Sequence, residues 1–477
     1  MRTVIASGLL AVMLAACSSK STGAADAAPP ADTHAPVDTA RTDAPPPPDA
    51  SVPGPTDVPA VPCTDTLAAV FAAAPSASAP LGSILACAPD DPISMADAQT
   101  QIGAAVIATS DVATFRIAYA TRGWDAGPAV STAKVYLPHT PRARPVPLVV
   151  AGHGSVGLAD SCVASNTVDK NLPLPYAARG FATIAPDLAG LGNAGTQAYL
   201  DNRAQGRQML DGARALRALL APGLAAQALV LTGYSQGGGA ALSAQALLRG
   251  DGPGIGQPVA TVVFAPEWPI RDDSFKLDTI LTHPKDLTIT LGLSYSSVQV
   301  LRQYAWFENH LGAGMGKLSV PASARAGIDG AVDSLCLVAV GGYIQGTMFE
   351  LGDLMEPTLR AGLVACEAGD TAHCTGTPAA YYADQVADTL PSDPQAGPVL
   401  IVQGLADLIM QPADEAACIH DKLAAELTDV STCVFASADH SNIMDQHPTG
   451  IAWAESVLGG GPRAACPNST ALPTCAP

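Results

Sequence analysis

Three short stretches of this chain hold residues that could pass a proton along a line. "LTGYSQGGGA" (231–240) sets Ser235 between Gly233 and Gly237. "VQGLADLIM" (402–410) carries Asp407, and "SADHSNIM" (437–444) carries His440. A serine hydroxyl is a weak nucleophile alone. It attacks a carbonyl when a general base within hydrogen-bond reach takes its proton, and a third group orients that base. Ser235 as nucleophile, His440 as base and Asp407 as orienting carboxylate would perform acyl transfer. A serine that only caps a helix is the plainer alternative for Ser235.

That chemistry needs elements that bring the three together. "ALVLTGYS" (228–235) reads as a buried strand, and "GGGAALSAQALLRG" (237–250) as a helix with small residues for close packing. The serine then sits on a sharp strand-to-helix turn, where glycines two positions either side leave room that a Cβ would fill. Its helix N-terminus favours developing negative charge. Asp407 ends a predicted strand in "GPVLIVQGLAD" (397–407), and His440 ends the next in "VSTCVFASADH" (430–440). Loops after such strands converge above a parallel sheet. Of the other candidates, His420 falls in a predicted amphipathic helix, His447 in a His-Pro turn, and His373 between cysteines. Asp439 adjoins His440, so its side chain points elsewhere, and Asp414 suits a helix start.

An oxyanion needs two donors. The backbone N–H of Gln236 is one. The second is expected from "HGSVG" (153–157), at Ser155 first and Gly154 next.

Further apolar runs, "VPLVVAGHG" (146–154), "FATIAPDLAG" (181–190) and "ATVVFAPEW" (260–268), alternate with helical patterns at 207–220, 413–427 and 450–460. Alternation of this kind implies βαβ crossovers and a mostly parallel sheet. Residues 271–394 break the rhythm with patchy helical periodicity and read as a helical insertion over the strand ends.

"AGHGSVG" (151–157), "APDLAGLG" (185–192), "GYSQGGGAAL" (233–242), "VQGLADLIMQP" (402–412) and "ADHS" (438–441) together resemble, in order and spacing, the secretory lipase branch of the α/β-hydrolases. The resemblance covers roughly residues 100 to 460. The order Ser235, Asp407, His440 is the one that fold uses. It implies an α/β-hydrolase fold with a lid-like helical cap, ester hydrolysis (esterase or lipase) and no cofactor. Leu188 stands where the family often has an aromatic. A peptidase or amidase with the same three residues, or a non-catalytic surface-anchored binding lipoprotein, are the alternatives.

The N-terminus, "MRTVIASGLLAVMLAACSSK", has one Arg before a short apolar run and ends in small residues, as an export signal does. Leu14 to Cys17 resembles a bacterial lipobox, which makes 1–17 a lipoprotein signal and Cys17 the lipidated residue. Residues 18–62, rich in Ala, Pro, Asp and Thr, read as an extended tether. The expected catalytic domain is 63–270 plus 395–477. Localisation follows as exported and anchored in a membrane, and the partners as that membrane and a small-molecule or lipid ester. A formal charge of −19 argues against a nucleic-acid partner.

There are 11 cysteines, and setting Cys17 aside leaves an even number. Close neighbours are expected to pair as Cys63/Cys87, Cys366/Cys374, Cys418/Cys433 and Cys466/Cys475, with Cys162 and Cys336 over. "CEAGDTAHC" (366–374) lacks the second half of a zinc site, so no metal is expected.

Overall fold

The computed structural model describes residues 55–252, 254–268, 295–347, 354–388, 390–426 and 429–475. The signal segment, Cys17 and most of the predicted tether lie outside the described residues, as do 271–294 of the predicted insertion.

One sheet of nine strands carries the molecule: β1 (Ile84–Ile93), β2 (Val112–Arg122), β3 (Pro128–Pro138), β4 (Val146–Gly152), β5 (Ala182–Pro186), β6 (Ala225–Tyr234), β7 (Gln257–Phe264), β8 (Val399–Gly404) and β9 (Val430–Phe435). Their order is β1-β2-β3-β5-β4-β6-β7-β8-β9. β1, β2, β3 and β5 pair antiparallel. From β5 through β4 to β9 every pairing is parallel. The helices, in chain order, are α1 (Leu67–Phe71), α2 (Met95–Ile102), α3 (Pro173–Ala178), α4 (Asn202–Leu219), α5 (Gln236–Asp251), α6 (Tyr295–Leu311), α7 (Arg325–Ser334), α8 (Leu337–Thr347), α9 (Pro357–Glu367), α10 (Gly376–Ala387), α11 (Ala417–Glu426) and α12 (His447–Leu458). This is the α/β-hydrolase arrangement, with α6–α10 forming a helical cap between β7 and β8.

The strands alternate sides with period two. Leu148 and Val150 of β4, Leu229 and Leu231 of β6, and Ile401 of β8 face α4, α5 and α11. Val149, Val230 and Leu400, one residue along, face α2, α3 and α12. Burial on both faces explains the nearly unbroken apolar runs read from the sequence.

The antiparallel strands β1–β3 form a part of the sheet that the sequence reading did not identify. Their pattern is masked by charge: Lys134 of β3 and Arg116 of β2 are buried, and both reach Asp90 of β1, at 2.8 and 2.9 Å. Burial works against the Asp90 carboxylate, yet hydrogen bonds from Lys134 and Arg116 hold its pKa down at about 2.

Residues 55–62, predicted as the end of the tether, pack on the core instead. Thr56 is fully buried and its hydroxyl donates to the Pro138 carbonyl at 2.6 Å, while the Ala60 N–H donates to Leu219 at 2.7 Å. Each bond satisfies a backbone group that a free tether would leave to water.

Five disulfides join the described cysteines: Cys63–Cys87, Cys162–Cys336, Cys366–Cys374, Cys418–Cys475 and Cys433–Cys466. Neighbour pairing fails for Cys418/Cys433 and Cys466/Cys475. The C-terminal tail runs back beside β9, where the Thr470 N–H donates to Val434 and Ser469 Oγ accepts from the Val434 N–H, both at 2.8 Å. That course sets Cys466 against Cys433 and carries Cys475 to α11. Five such links suit an oxidising, extracellular compartment. Among the described residues, no helix is long and apolar enough to cross a membrane.

Two carboxylates meet at the start of α4. Asp201 caps it, accepting from the Ala204 N–H at 2.8 Å. Asp388, just past α10, accepts from the Asn202 and Arg203 N–H groups, both at 2.8 Å. Burial raises the Asp201 pKa to about 7, with help from the Asp388 charge, and that of Asp388 to about 6. An acid that holds its proton more tightly folded than unfolded adds stability at low pH. That contribution is lost as pH rises from about 4 through the folded values. Asp201→Asn keeps a good cap and removes one charge. Its melting temperature therefore falls less between pH 5 and pH 8 than that of the wild type. Paired thermal melts check this, and an equal or larger fall contradicts it.

Candidate active site

Ser235 sits between β6 and α5 with φ 51° and ψ −119°, a region that non-glycine residues seldom enter. Its N–H donates to Phe264 O at 2.9 Å, and its carbonyl accepts from the Gly238, Gly239 and Glu267 N–H groups at 2.8, 3.1 and 3.1 Å. Four backbone bonds thus hold a strained residue in place. The flanking glycines are required by space. A Cβ on Gly233 would overlap the Gly237 carbonyl, and one on Gly237 would overlap the Gly152 carbonyl of β4.

The structure brings Ser235, His440 and Asp407 together. His440 Nε2 lies 3.0 Å from Ser235 Oγ, and its Nδ1 lies 2.9 Å from Asp407 Oδ2. With Nδ1–H donating to the carboxylate, Nε2 is left to accept the serine proton. All three are buried, at 7%, 6% and 1% exposure.

Each is held by neighbours that the sequence reading missed. Asp407 Oδ1 accepts from the Ile409 and Met410 N–H groups at 2.9 and 2.8 Å, and Oδ2 from Gln403 Nε2 at 3.2 Å. Tyr234 donates its hydroxyl to the His440 carbonyl at 2.7 Å, and its ring lies 5.1 Å from the imidazole. Gln403, Ile409 and Met410 lie beside Asp407 in the chain, whereas the fold brings Tyr234 to His440 across 206 residues.

Asp439 is not a partner of His440. Its Oδ1 accepts from the Ser441 hydroxyl and from the Ser441 and Asn442 N–H groups, at 2.6, 2.9 and 2.9 Å. The Ser441 bond, first, lowers its pKa. His420 pairs with Asp421, and His373 with Asp370 inside the Cys366–Cys374 loop. His447 Nδ1 meets the Met444 carbonyl at 3.0 Å where α12 begins. The side chain of Asp414 lies outside the described residues.

Gln236 opens α5, so its N–H has no intrahelical partner. Ser155 lies on the wall of the same cavity as Ser235, and its Oγ accepts from Tyr199 OH at 2.7 Å. Gly154 lies so close to the Tyr234 ring that a Cβ would meet it at 2.6 Å. Below, His153 Nδ1 meets the Gly154 carbonyl at 2.6 Å and Nε2 the Asp187 carbonyl at 3.2 Å. The buried Asp187 side chain accepts from Ser165 N–H and Thr132 Oγ1, both at 2.7 Å, which stitches this loop to the sheet.

The cavity over Ser235 and His440 measures about 100 Å³, and Leu200, Val298, Leu337, Ile409 and Met410 make much of its wall. Among the described residues on it, Glu267 is the one carboxylate. Among the described residues, no group of three or more His, Cys, Asp or Glu could hold a metal.

No protein-family model matches the chain, and no curated protein does. Its fold is similar to solved structures at low identity. The rice cell wall degrading esterase LipA from Xanthomonas oryzae is 17% identical, with TM-score 0.59, over 80% of this chain and 97% of that one. Candida antarctica lipase A in its closed state is 16% identical, with TM-score 0.59, over 87% and 91%. A putative hydrolase from Legionella pneumophila is 15% identical, with TM-score 0.58, over 79% and 96%.

The crowding at the turn gives a test. Gly237→Ala forces a methyl into the β4 backbone and destabilises the fold by about 1–3 kcal/mol. Urea unfolding checks it, and an unchanged midpoint contradicts it.

Proposed function

We propose that this chain is a serine hydrolase that cleaves carboxylic esters through an acyl-Ser235 intermediate. The observation that carries the reading is the continuous line from Asp407 through His440 to Ser235, opening into an apolar cavity. The similar solved structures include an esterase and a lipase, which favours an ester over the peptide or amide that the residues alone leave open.

In this mechanism Ser235 Oγ attacks the carbonyl carbon while His440 Nε2 takes its proton. The N–H groups of Gln236 and Ser155 donate to the resulting oxyanion. The intermediate collapses, and the leaving alkoxide takes the proton from His440. Water then attacks the acyl-enzyme, His440 again accepting a proton and returning it to Ser235 as the acid departs. Asp407 holds the imidazole tautomer and stabilises its charged form. Residues 63–270 and 395–477 would form the catalytic domain and 271–394 the cap. Cys17, once lipidated, would anchor the exported chain through residues 18–54.

Ser235→Ala and His440→Ala lower kcat on p-nitrophenyl butyrate by about 10⁴-fold or more, and Asp407→Asn by about 10⁴-fold. Steady-state assays on variants with wild-type melting curves check this. Activity of Ser235→Ala within tenfold of wild type would overturn the reading. For the anchor, expression in a bacterial host with labelled palmitate gives a labelled membrane-bound chain, and Cys17→Ala abolishes the label. A label that survives the substitution contradicts it.

A further inference from the structure

Glu267 follows β7, and its N–H donates to the carbonyl of Ser235 at 3.1 Å. It is thus fixed against the nucleophile's own backbone. Its side chain lines the catalytic cavity, where the neighbouring wall is Leu200, Val298, Leu337 and Ile409. A carboxylate costs free energy in such a wall unless its acceptor sites are filled.

They are not filled by the described residues. Oε2 accepts one hydrogen bond, from Asn202 Nδ2 at 3.2 Å. Oε1 lies 3.9 Å from Arg302 Nη1, an ion pair too long for a hydrogen bond. A carboxylate offers about four lone-pair sites, and among the described residues one hydrogen bond is donated to it. Burial accordingly raises its pKa. The Arg302 guanidinium, which also acts on Asp388, offsets part of the charge, and a neutral O–H donor gains a bond at the carboxylate.

The surroundings agree. Leu200 also lines a second cavity of about 230 Å³, together with Arg302, Asp201, Asn309 and Trp306. The Glu267–Arg302 pair therefore stands in a partition between the apolar catalytic cavity and a polar one. A long alkyl chain running that way would meet charged and amide groups.

We propose that Glu267 determines specificity by accepting a hydrogen bond from a substrate hydroxyl, so that the preferred ester carries a hydroxyl near its carbonyl, on the acyl or the alcohol side. This rests on the ester hydrolase reading above.

The test measures kcat/KM by proton release for the full chain on three esters: ethyl butyrate, ethyl 3-hydroxybutyrate and 2-hydroxyethyl butyrate. The second probes a hydroxyl on the acyl side and the third one on the alcohol side. At least one hydroxylated ester is preferred over ethyl butyrate by about tenfold or more, the size of a hydrogen bond to a charged group. Glu267→Leu brings that ratio to about one. Should that variant not fold, Glu267→Gln, which keeps size and an acceptor but loses the charge, lowers the ratio severalfold. Ratios near one for both hydroxylated esters in the wild type overturn the proposal, as does a preference that survives the substitutions. If no ester is cleaved, the ester reading falls and this one with it. If all are cleaved without preference, only this one falls.

Discussion

Helix α5 packs so closely on β6 and β4 that the chain has no room for side chains at Gly233 and Gly237. This crowding governs the geometry of the site. With both Cβ atoms absent, the backbone turns sharply and Ser235 is driven to positive φ. A residue in that region is strained by ~1–3 kcal/mol, and the backbone bonds to Phe264, Gly238, Gly239 and Glu267 offset the strain. The same turn starts α5 at Gln236, whose N–H therefore has no intrahelical partner. The strained serine and the helix start beside it are consequences of one packing constraint.

The other members of the site are brought in by the parallel half of the sheet. β8 and β9 are neighbours in parallel register, so the loops after them emerge side by side and deliver Asp407 and His440. The cap joins the same assembly at covalent and polar points. Cys336, just before α8, is bonded to Cys162, and the Leu337 N–H donates to Val156 at 2.8 Å. Leu337 lines the cavity over Ser235 and Ser155 lies on its wall, so the loop that holds Ser155 and one wall of the cavity are tied together. At the other end of the cap, Asp388 holds the start of α4.

What the sequence made legible follows from these constraints. Ser235 and its glycines were readable because steric crowding permits one residue type at each position. β4, β6, β7 and β8 were readable because burial on both faces demands apolar residues throughout. Asp407 and His440 were found by their place at strand ends. β1–β3 went unread because Arg116, Lys134 and Asp90 satisfy one another inside, a pairing that only the fold reveals. The disulfides of the C-terminal tail were mispaired because sequence proximity is a poor guide once a tail doubles back along β9. Tyr199, Tyr234 and Glu267 reach Ser155, His440 and Asn202 across 44, 206 and 65 residues of chain, so those contacts could not be read locally.

The central claim is that Ser235 is the nucleophile and His440 its base. Treatment of the folded chain with an alkyl fluorophosphonate, followed by intact mass and peptide mapping, tests it most directly. The account predicts a single adduct, on the peptide that holds Ser235, and a sharply slowed reaction in His440→Ala. An adduct on another residue, or none on a chain with an intact melting transition, would contradict it.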